Sequence, residues 1–378
     1  MVSRSLLSQF WQRLAYLICL IICLEIGLQG FYYVTVGDFL FRRVALPIYI
    51  SEPNAGFANR PGLSFDHRTN EFHAHYYINQ AGFRVPQPNV EYTLAKPANT
   101  YRLMILGPSF AFGWGVDYEL SFAGVLNRLL QESAFTGGNK LEIINAGVPA
   151  MTLAPQLIWF ERVGKRYEPD LVIQFVYGSM AITDSSELPY AVDDKGYLML
   201  LNADASWRGR EIFKKVATVF YGWLLWTKVN EVFFPHSSEN GDVVLGAGRE
   251  MVASRDFDPK RSEVREAMRA YSKLAGAVRA ASARLLVVYV PLSYAIQKED
   301  VSRWRHLGIR DISRQMAFDA EFVHYLNEQQ IPSIDITQRL KDSVVVGKRM
   351  YYWLDIHWTA AGNAAAARVV AEYLTGRS

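Results

Sequence analysis

Hydrophobic positions form one long run near the start of the chain and a series of short runs further on, and the two patterns predict different elements. Residues 14–36 (LAYLICLIICLEIGLQGFYYVTV) are apolar over the roughly 20 residues a helix needs to cross a bilayer. Glu25 and Gln29 interrupt the run, and Tyr32 and Tyr33 fall where an interfacial aromatic belt is expected. No small-x-small cleavage site follows before the chain turns polar, so a retained single transmembrane helix is expected rather than a cleaved signal peptide. From residue 101 onward, short apolar stretches at 102–106, 141–146, 171–176, 284–290 and 334–336 read as strands. Between them, helical periodicity covers 118–133, 155–166, 261–281, 311–329 and 359–374. Buried strands alternating with helices predict an α/β fold with a parallel sheet covered on both faces, its working edge at the strands' carboxyl ends.

Two stretches do not follow that rhythm. Residues 44–100 are punctuated by Pro47, Pro53, Pro61, Pro86, Pro88 and Pro97, and read as a linker with a small N-terminal subdomain. Within it, residues 72–79 alternate as a strand does, closed by a glycine-centred turn at 81–84. Residues 180–260 hold no clean βα unit and read as an insertion. Its segment 212–234 (IFKKVATVFYGWLLWTKVNEVFF) is apolar around Lys214, Lys215 and Lys228, with Trp223 and Trp226 prominent. It reads as a helix packed over the core, a lid, or an amphipathic helix lying on a membrane. The expected organisation is a tail and anchor over 1–43, the linker and subdomain over 44–100, and the α/β domain over 101–378.

Composition narrows the partners. Half of the 378 residues are hydrophobic, enough for a substantial core. With 40 basic against 37 acidic residues the formal charge is only +3, which gives no concentrated basic face and excludes nucleic acid as the expected partner. The two cysteines, Cys19 and Cys23, both lie in the apolar segment, so the body has neither thiolate chemistry nor cysteine-ligated zinc. His67, His73 and His75 lie close together, but no carboxylate or thiol at ligand spacing accompanies them, and they read as hydrogen-bonded or exposed histidines. No metal and no cofactor is expected. Glu25 at membrane depth calls for a polar partner, which a second membrane protein could supply. The short N-terminus and the large polar remainder favour a body on the non-cytoplasmic side.

Candidate chemistry begins at Tyr101-Arg-Leu-Met-Ile-Leu-Gly107-Pro108-Ser109. A strand, a tight turn holding one serine and a following helix is the plan of a nucleophile elbow. A serine that merely caps the helix is the competing reading. Near the C-terminus, Asp355-Ile356-His357-Trp358 precedes the last helix. A histidine on a loop before a helix can be aimed at the sheet edge, and an aspartate two residues earlier can hold its ring nitrogen. Hydroxyl, imidazole and carboxylate in that relation form a catalytic triad, with histidine suited as base by its near-neutral titration.

The elbow G-x-S-F-x-F-G-x-G-V, the turn N-A-G-V-P over 145–149 and the terminal D-x-H-W-T-x-x-G-N resemble those of the SGNH (GDSL-type) hydrolase family. Ile78-Asn-Gln-Ala-Gly-Phe-Arg84 is similar to a lead-in found in its membrane-anchored bacterial members. The Asp-two-before-His form is also similar to that of alginate-type polysaccharide O-acetyltransferases. The resemblance implies a flavodoxin-like three-layer sandwich with Ser109 as nucleophile, His357 as base and Asp355 as its orienter, in a bacterial inner-membrane protein facing the periplasm. The family's oxyanion glycine falls on Ala150 and its oxyanion asparagine on Ser179. Here the usual Gly-Asp-Ser reads Gly107-Pro108-Ser109, and proline removes a backbone donor.

The expected function is therefore a membrane-anchored serine ester hydrolase acting on O-acyl groups of envelope glycans. Polysaccharide O-acetyl transfer by the same triad is one alternative. A catalytically impaired module that binds a glycan or a partner is another, and a lipase acting on bilayer lipid is a third.

Overall fold

Each of the five apolar runs after residue 101 contributes a strand, and all but the short edge strand at 333–335 are buried on both faces. The computed structural model describes residues 4–37, 39–42, 46–53, 55–177, 190–200, 215–233, 257–300, 312–345 and 347–376. The chain divides into two compact units, one drawn from 1–45, 68–70 and 202–237, the other from 46–67, 71–201 and 238–378. In the first unit, α1 (Arg4–Val36) contains the stretch Ser8–Val36, long and apolar enough to cross a membrane, with a mean hydropathy of 2.1 over its most apolar 18 residues.

The second unit opens with a hairpin of β1 (Tyr49–Glu52) and β2 (Gly56–Asn59). There follow β3 (Ser64–Arg68), β4 (His73–Ile78) and β5 (Arg84–Val85), then β6 (Thr100–Leu106), α2 (Ser109–Phe112), α3 (Phe122–Gln131), β7 (Lys140–Asn145), α4 (Leu153–Arg162) and β8 (Leu171–Tyr177). A short hairpin, β9 (Tyr190–Val192) with β10 (Leu198–Leu200), lies within the expected insertion. Also from that insertion, but in the first unit, comes α5 (Ala217–Phe233). The second unit ends with α6 (Ser262–Ala280), β11 (Arg284–Val290), α7 (Ser293–Ile296), α8 (Ile312–Glu328), β12 (Ser333–Asp335), α9 (Thr337–Asp342) and α10 (Ala360–Thr375).

Eight strands form the main sheet in the order β12-β11-β8-β6-β7-β5-β4-β3. Over β12-β11-β8-β6-β7 it is parallel, with Ile105 opposite Ile173 and Val288 opposite Phe175. Numbered along the chain, those five strands run 2-1-3-4-5, the flavodoxin-like order, whose switch point lies between β6 and β8. The expectation of a parallel sheet needs one correction. At Arg84↔Asn145 the pairing of β5 with β7 turns antiparallel, as is that of β4 with β5, so the sheet is mixed. Residues 44–100, expected to stand apart as a linker and small subdomain, supply three of the eight strands.

Strand alternation divides the core in two. Met104, Leu106, Val172, Val176, Val287 and Tyr289 face one way, under α4, α6 and α8. Leu103, Ile105, Ile173, Phe175, Val288 and Val290 face the other, under α3, α9 and α10. Alternation within an unbroken apolar run fills both layers at once, which makes this a three-layer sandwich.

Candidate active site

Beyond Leu106 the chain turns through Gly107 and Pro108 into α2. Gly107 sits at φ +147°, where a Cβ would lie 2.7 Å from Phe175 Cβ and 2.8 Å from Ala111 Cβ, so a side chain here is both strained and obstructed. Pro108 fits the turn: its φ of −76° is what the ring imposes, and its carbonyl accepts from the Phe112 N–H at 3.1 Å. After one turn the helix stops at Gly113, in the left-handed region at φ 82°. Ser109 is thus presented by a four-residue helix, whereas the long helix expected over 118–133 starts only at Phe122.

His357 comes from a loop closed by the antiparallel pair Tyr351 and Trp358, with the Tyr352 N–H donating to the His357 carbonyl at 3.0 Å. The glycine of the terminal motif, Gly362, packs against this loop so closely that a Cβ would meet the Met350 carbonyl at 2.2 Å. Its neighbour Asn363 accepts from the Phe122 N–H at 2.9 Å and donates to the Thr359 carbonyl at 3.0 Å, which fixes the start of α10 to the start of α3.

The two loops meet at the sheet edge. Ser109 Oγ lies 2.5 Å from His357 Nε2, and the two residues are only 7% and 9% exposed. On its other nitrogen, Nδ1, the imidazole pairs with Asp355 Oδ1, which also accepts the His357 backbone N–H at 2.9 Å. The second oxygen of Asp355 accepts from Trp114 Nε1 at 3.3 Å. The rings of Phe110 and Trp114 lie 5.0 Å and 5.6 Å from the imidazole centroid. Burial pushes the Asp355 carboxyl up, but the His357 ring and the N–H groups of His357 and Trp114 outweigh it and bring it down to about 2, so it is ionised at neutral pH.

One residue that holds the histidine loop carried no signal in the sequence. Glu71, before β4, accepts three successive backbone N–H groups of the histidine loop, Trp353 at 2.5 Å and Leu354 and Asp355 at 2.8 Å each. Burial raises the Glu71 carboxyl above its usual range, with the three N–H groups acting in the opposite direction. Arg84, the last residue of the quoted lead-in, is fully buried behind the elbow. Its guanidinium donates to the Phe112 carbonyl at 2.6 Å, the Val116 carbonyl at 2.5 Å and the Gly113 carbonyl, and lies 4.6 Å from the Tyr76 ring centroid. Burial lowers it to about 10, so it remains charged. Tyr76 Oη in turn accepts from the Gly115 N–H at 2.9 Å. The elbow is therefore braced from β4 and β5, the strands that sequence reading set apart from the domain.

The proposed oxyanion donors fare differently. Ala150 follows β7 in a loop that adjoins the elbow, where the Val148 N–H donates to the Gly107 carbonyl at 3.0 Å. Its φ of +67° lies in the left-handed region, the backbone that favours the family's glycine at this point; alanine adopts it at a cost of roughly 1–2 kcal/mol. Ser179 lies outside the described residues. Of the histidines, His73 and His75 both reach Asp66 Oδ1, at 3.3 Å and 2.7 Å, while His67 turns inward to Tyr76 Oη at 2.9 Å, so the three do not converge.

Residues 248–377 match the SGNH hydrolase-like domain of the acetyltransferase AlgX. That stretch contains Asp355 and His357, and the folded chain brings Ser109 to it. Among curated proteins no sequence matches the chain. Among solved structures it is similar to the inhibitor-bound aryl esterase of M. smegmatis, at 13% identity over 73% of this chain and 99% of that one, with a TM-score of 0.38. It is similar also to Est24, a carbohydrate acetylesterase from Sinorhizobium meliloti, at 12% identity over 74% of this chain and 100% of that one, with a TM-score of 0.39. A lipase/acylhydrolase from Enterococcus faecalis is 13% identical over 73% of this chain and 96% of that one, with a TM-score of 0.38. The chain has a flavodoxin-like α/β sandwich fold, of which residues 248–377 match an SGNH hydrolase-like domain.

Proposed function

From that fold as premise, we propose that the protein is a membrane-anchored serine ester hydrolase acting on O-acyl groups of an envelope glycan. The observation that carries this reading is the connected row Ser109 Oγ, His357 Nε2 at 2.5 Å, His357 Nδ1 and Asp355 Oδ1. With Nδ1 protonated toward the ionised Asp355, Nε2 is free to take the Ser109 proton. The Ser109 oxygen then attacks the ester carbonyl, and the backbone N–H groups of Ser109 and Ala150, with Ser179 in support, receive the oxyanion. Collapse breaks the bond to the alcohol, which leaves with the proton from Nε2 and a glycan hydroxyl restored. Water deprotonated by His357 releases the acyl group as a carboxylic acid and returns Ser109 to its starting state.

Transfer of an acetyl group to a second hydroxyl is the same chemistry with an alcohol in place of water. The match to a domain described for the acetyltransferase AlgX favours this second reading. The anchor is α1, with the catalytic body on the non-cytoplasmic side of the membrane.

The test uses the full chain in detergent with a fluorophosphonate probe and p-nitrophenyl acetate. Labelling and acetate release that vanish in Ser109→Ala are expected; no labelling and no turnover above that variant would leave only a binding module. Supplying an acetylated donor and an unacetylated glycan separates the two enzymatic readings, since transfer yields acetylated glycan and hydrolysis yields free acetate.

A further inference from the structure

We propose that α5 is a membrane-interface helix, held at bilayer depth by Glu25 and Gln29 of α1, with Val219, Leu225 and Trp226 seated in lipid. The proposal rests on α1 lying in the bilayer and is independent of the hydrolytic reading. Glu25 and Gln29 are the polar interruptions of an otherwise apolar stretch, and a carboxylate in hydrocarbon persists only where its oxygens are satisfied. Glu25 is satisfied here by the first turn of α5, and Gln29 by Glu25, by the residues leading into α5 and by Phe41. One Glu25 oxygen accepts from the Ala217 N–H at 2.7 Å and the other from the Thr218 N–H at 2.8 Å, the first two amides of α5. Gln29 Nε2 donates to Glu25 Oε1 at 2.8 Å and to the Lys215 carbonyl at 3.0 Å, while its oxygen accepts from the Phe41 N–H at 3.3 Å. No second membrane protein is needed to satisfy Glu25.

These bonds set the depth of α5. A rise of about 1.5 Å per residue places Glu25 about 16 Å from the end of α1 at Val36, comparable with half of the roughly 30 Å hydrocarbon core. If α1 crosses the bilayer, the first turn of α5 is below its surface. The following residues stay beside the outer part of α1, where Phe31 meets Tyr221 at 5.8 Å between ring centroids and Tyr32 meets Phe220 at 6.0 Å. Among the described side chains of α5, Ala217 and Phe220 are buried, whereas Val219, Leu225 and Trp226 are 43%, 67% and 62% exposed. On α1, Leu20, Leu24 and Ile26 are likewise more than half exposed. The occupant that covers the α1 surface is lipid, and α5 shares its depth, so lipid covers α5 as well. Trp226 belongs in the headgroup region that tryptophan prefers.

The test is quenching of tryptophan emission in phosphatidylcholine–phosphatidylglycerol liposomes containing the full chain, with and without acyl-chain-dibrominated phosphatidylcholine. The Trp226 contribution is the difference between wild type and Trp226→Phe, and it is expected to fall at least twofold in the brominated lipid. Glu25→Ala releases the first turn of α5, so the same difference should then quench less. A Trp226 contribution unchanged by bromine overturns the proposal, whether its emission is blue, which indicates a protein occupant, or red and quenched by iodide, which indicates water. Trp11 on α1 supplies the control: quenched Trp11 with unquenched Trp226 rejects the α5 proposal alone, and loss of quenching at both rejects the anchor with it.

Discussion

Glu71 positions Asp355 through the backbone, its carboxylate accepting the Asp355 N–H at 2.8 Å together with the two amides before it. Three convergent N–H groups on one carboxylate define the loop's conformation, and through it the point where the Asp355 side chain meets His357. Glu71→Gln replaces one of the two accepting oxygens with a donor, which opposes these amides. Lost hydrogen bonds to a charged group cost about 1.5–3 kcal/mol, and a displacement of the triad by about 1 Å costs about a hundredfold in rate. We expect Glu71→Gln to lower kcat by about that factor with KM for p-nitrophenyl acetate little changed and the far-ultraviolet circular dichroism intact. An unchanged kcat would assign Glu71 a structural role alone.

Asp355→Asn removes the charge while keeping the shape. Asparagine can donate to Nδ1 as well as accept from it, so it permits the tautomer whose proton sits on Nε2, facing Ser109. In serine proteases this exchange costs about ten-thousandfold in kcat, and a loss of similar order is expected here. Stopped-time assays with p-nitrophenyl acetate read it directly. A loss below about tenfold would show that Asp355 does not orient the base.

At Gly107 the turn depends on the missing side chain. Gly107→Ala introduces a methyl 2.7 Å from Phe175 Cβ at a φ of +147°, combining overpacking with backbone strain. Those two effects together cost about 2–5 kcal/mol. Urea denaturation of the variant should show a loss of unfolding free energy of that size, along with loss of fluorophosphonate labelling as Ser109 moves. A stability change below about 1 kcal/mol would mean that the turn relaxes at little cost.

The strands and helices from residue 101 onward were legible because periodicity and burial coincide there: the run at 171–176 is apolar except for Gln174, and both of its faces are covered. Ser109, Asp355 and His357 were legible for a different reason, since each stands in a local motif whose glycines, Gly107 and Gly362, are demanded by contacts under 3 Å. The braces were not legible. Glu71 and Arg84 act on backbone groups distant in sequence, 282–284 and 28–32 residues away, and a bond to a carbonyl or an amide leaves no trace in the identity of its partner. The prolines of 44–100 likewise concealed β3 and β5, although the alternation at 72–79 showed β4, because strands of two to five residues carry too little pattern to read.

Asp319, on α8, offers a prediction from pH. It is 6% exposed, its Oδ1 accepts from Gln315 Nε2 at 2.6 Å, and burial raises its carboxyl to about 7, an effect that the Gln315 bond only partly offsets. In the unfolded chain the group titrates near its ordinary 3.8. Between those two values the folded protein holds a proton that the unfolded chain has released, so stability falls as pH rises from about 4 to about 7 and is level above that. Over about three pKa units, at roughly 1.4 kcal/mol each, the loss is about 4 kcal/mol. Asp319→Asn keeps the Gln315 partner and removes the titration. Its Tm should therefore exceed that of wild type at pH 8, while the two nearly coincide at pH 4.5. Equal Tm differences at both pH values would show that Asp319 remains ionised in the folded protein, with solvent or a neighbouring group satisfying its charge.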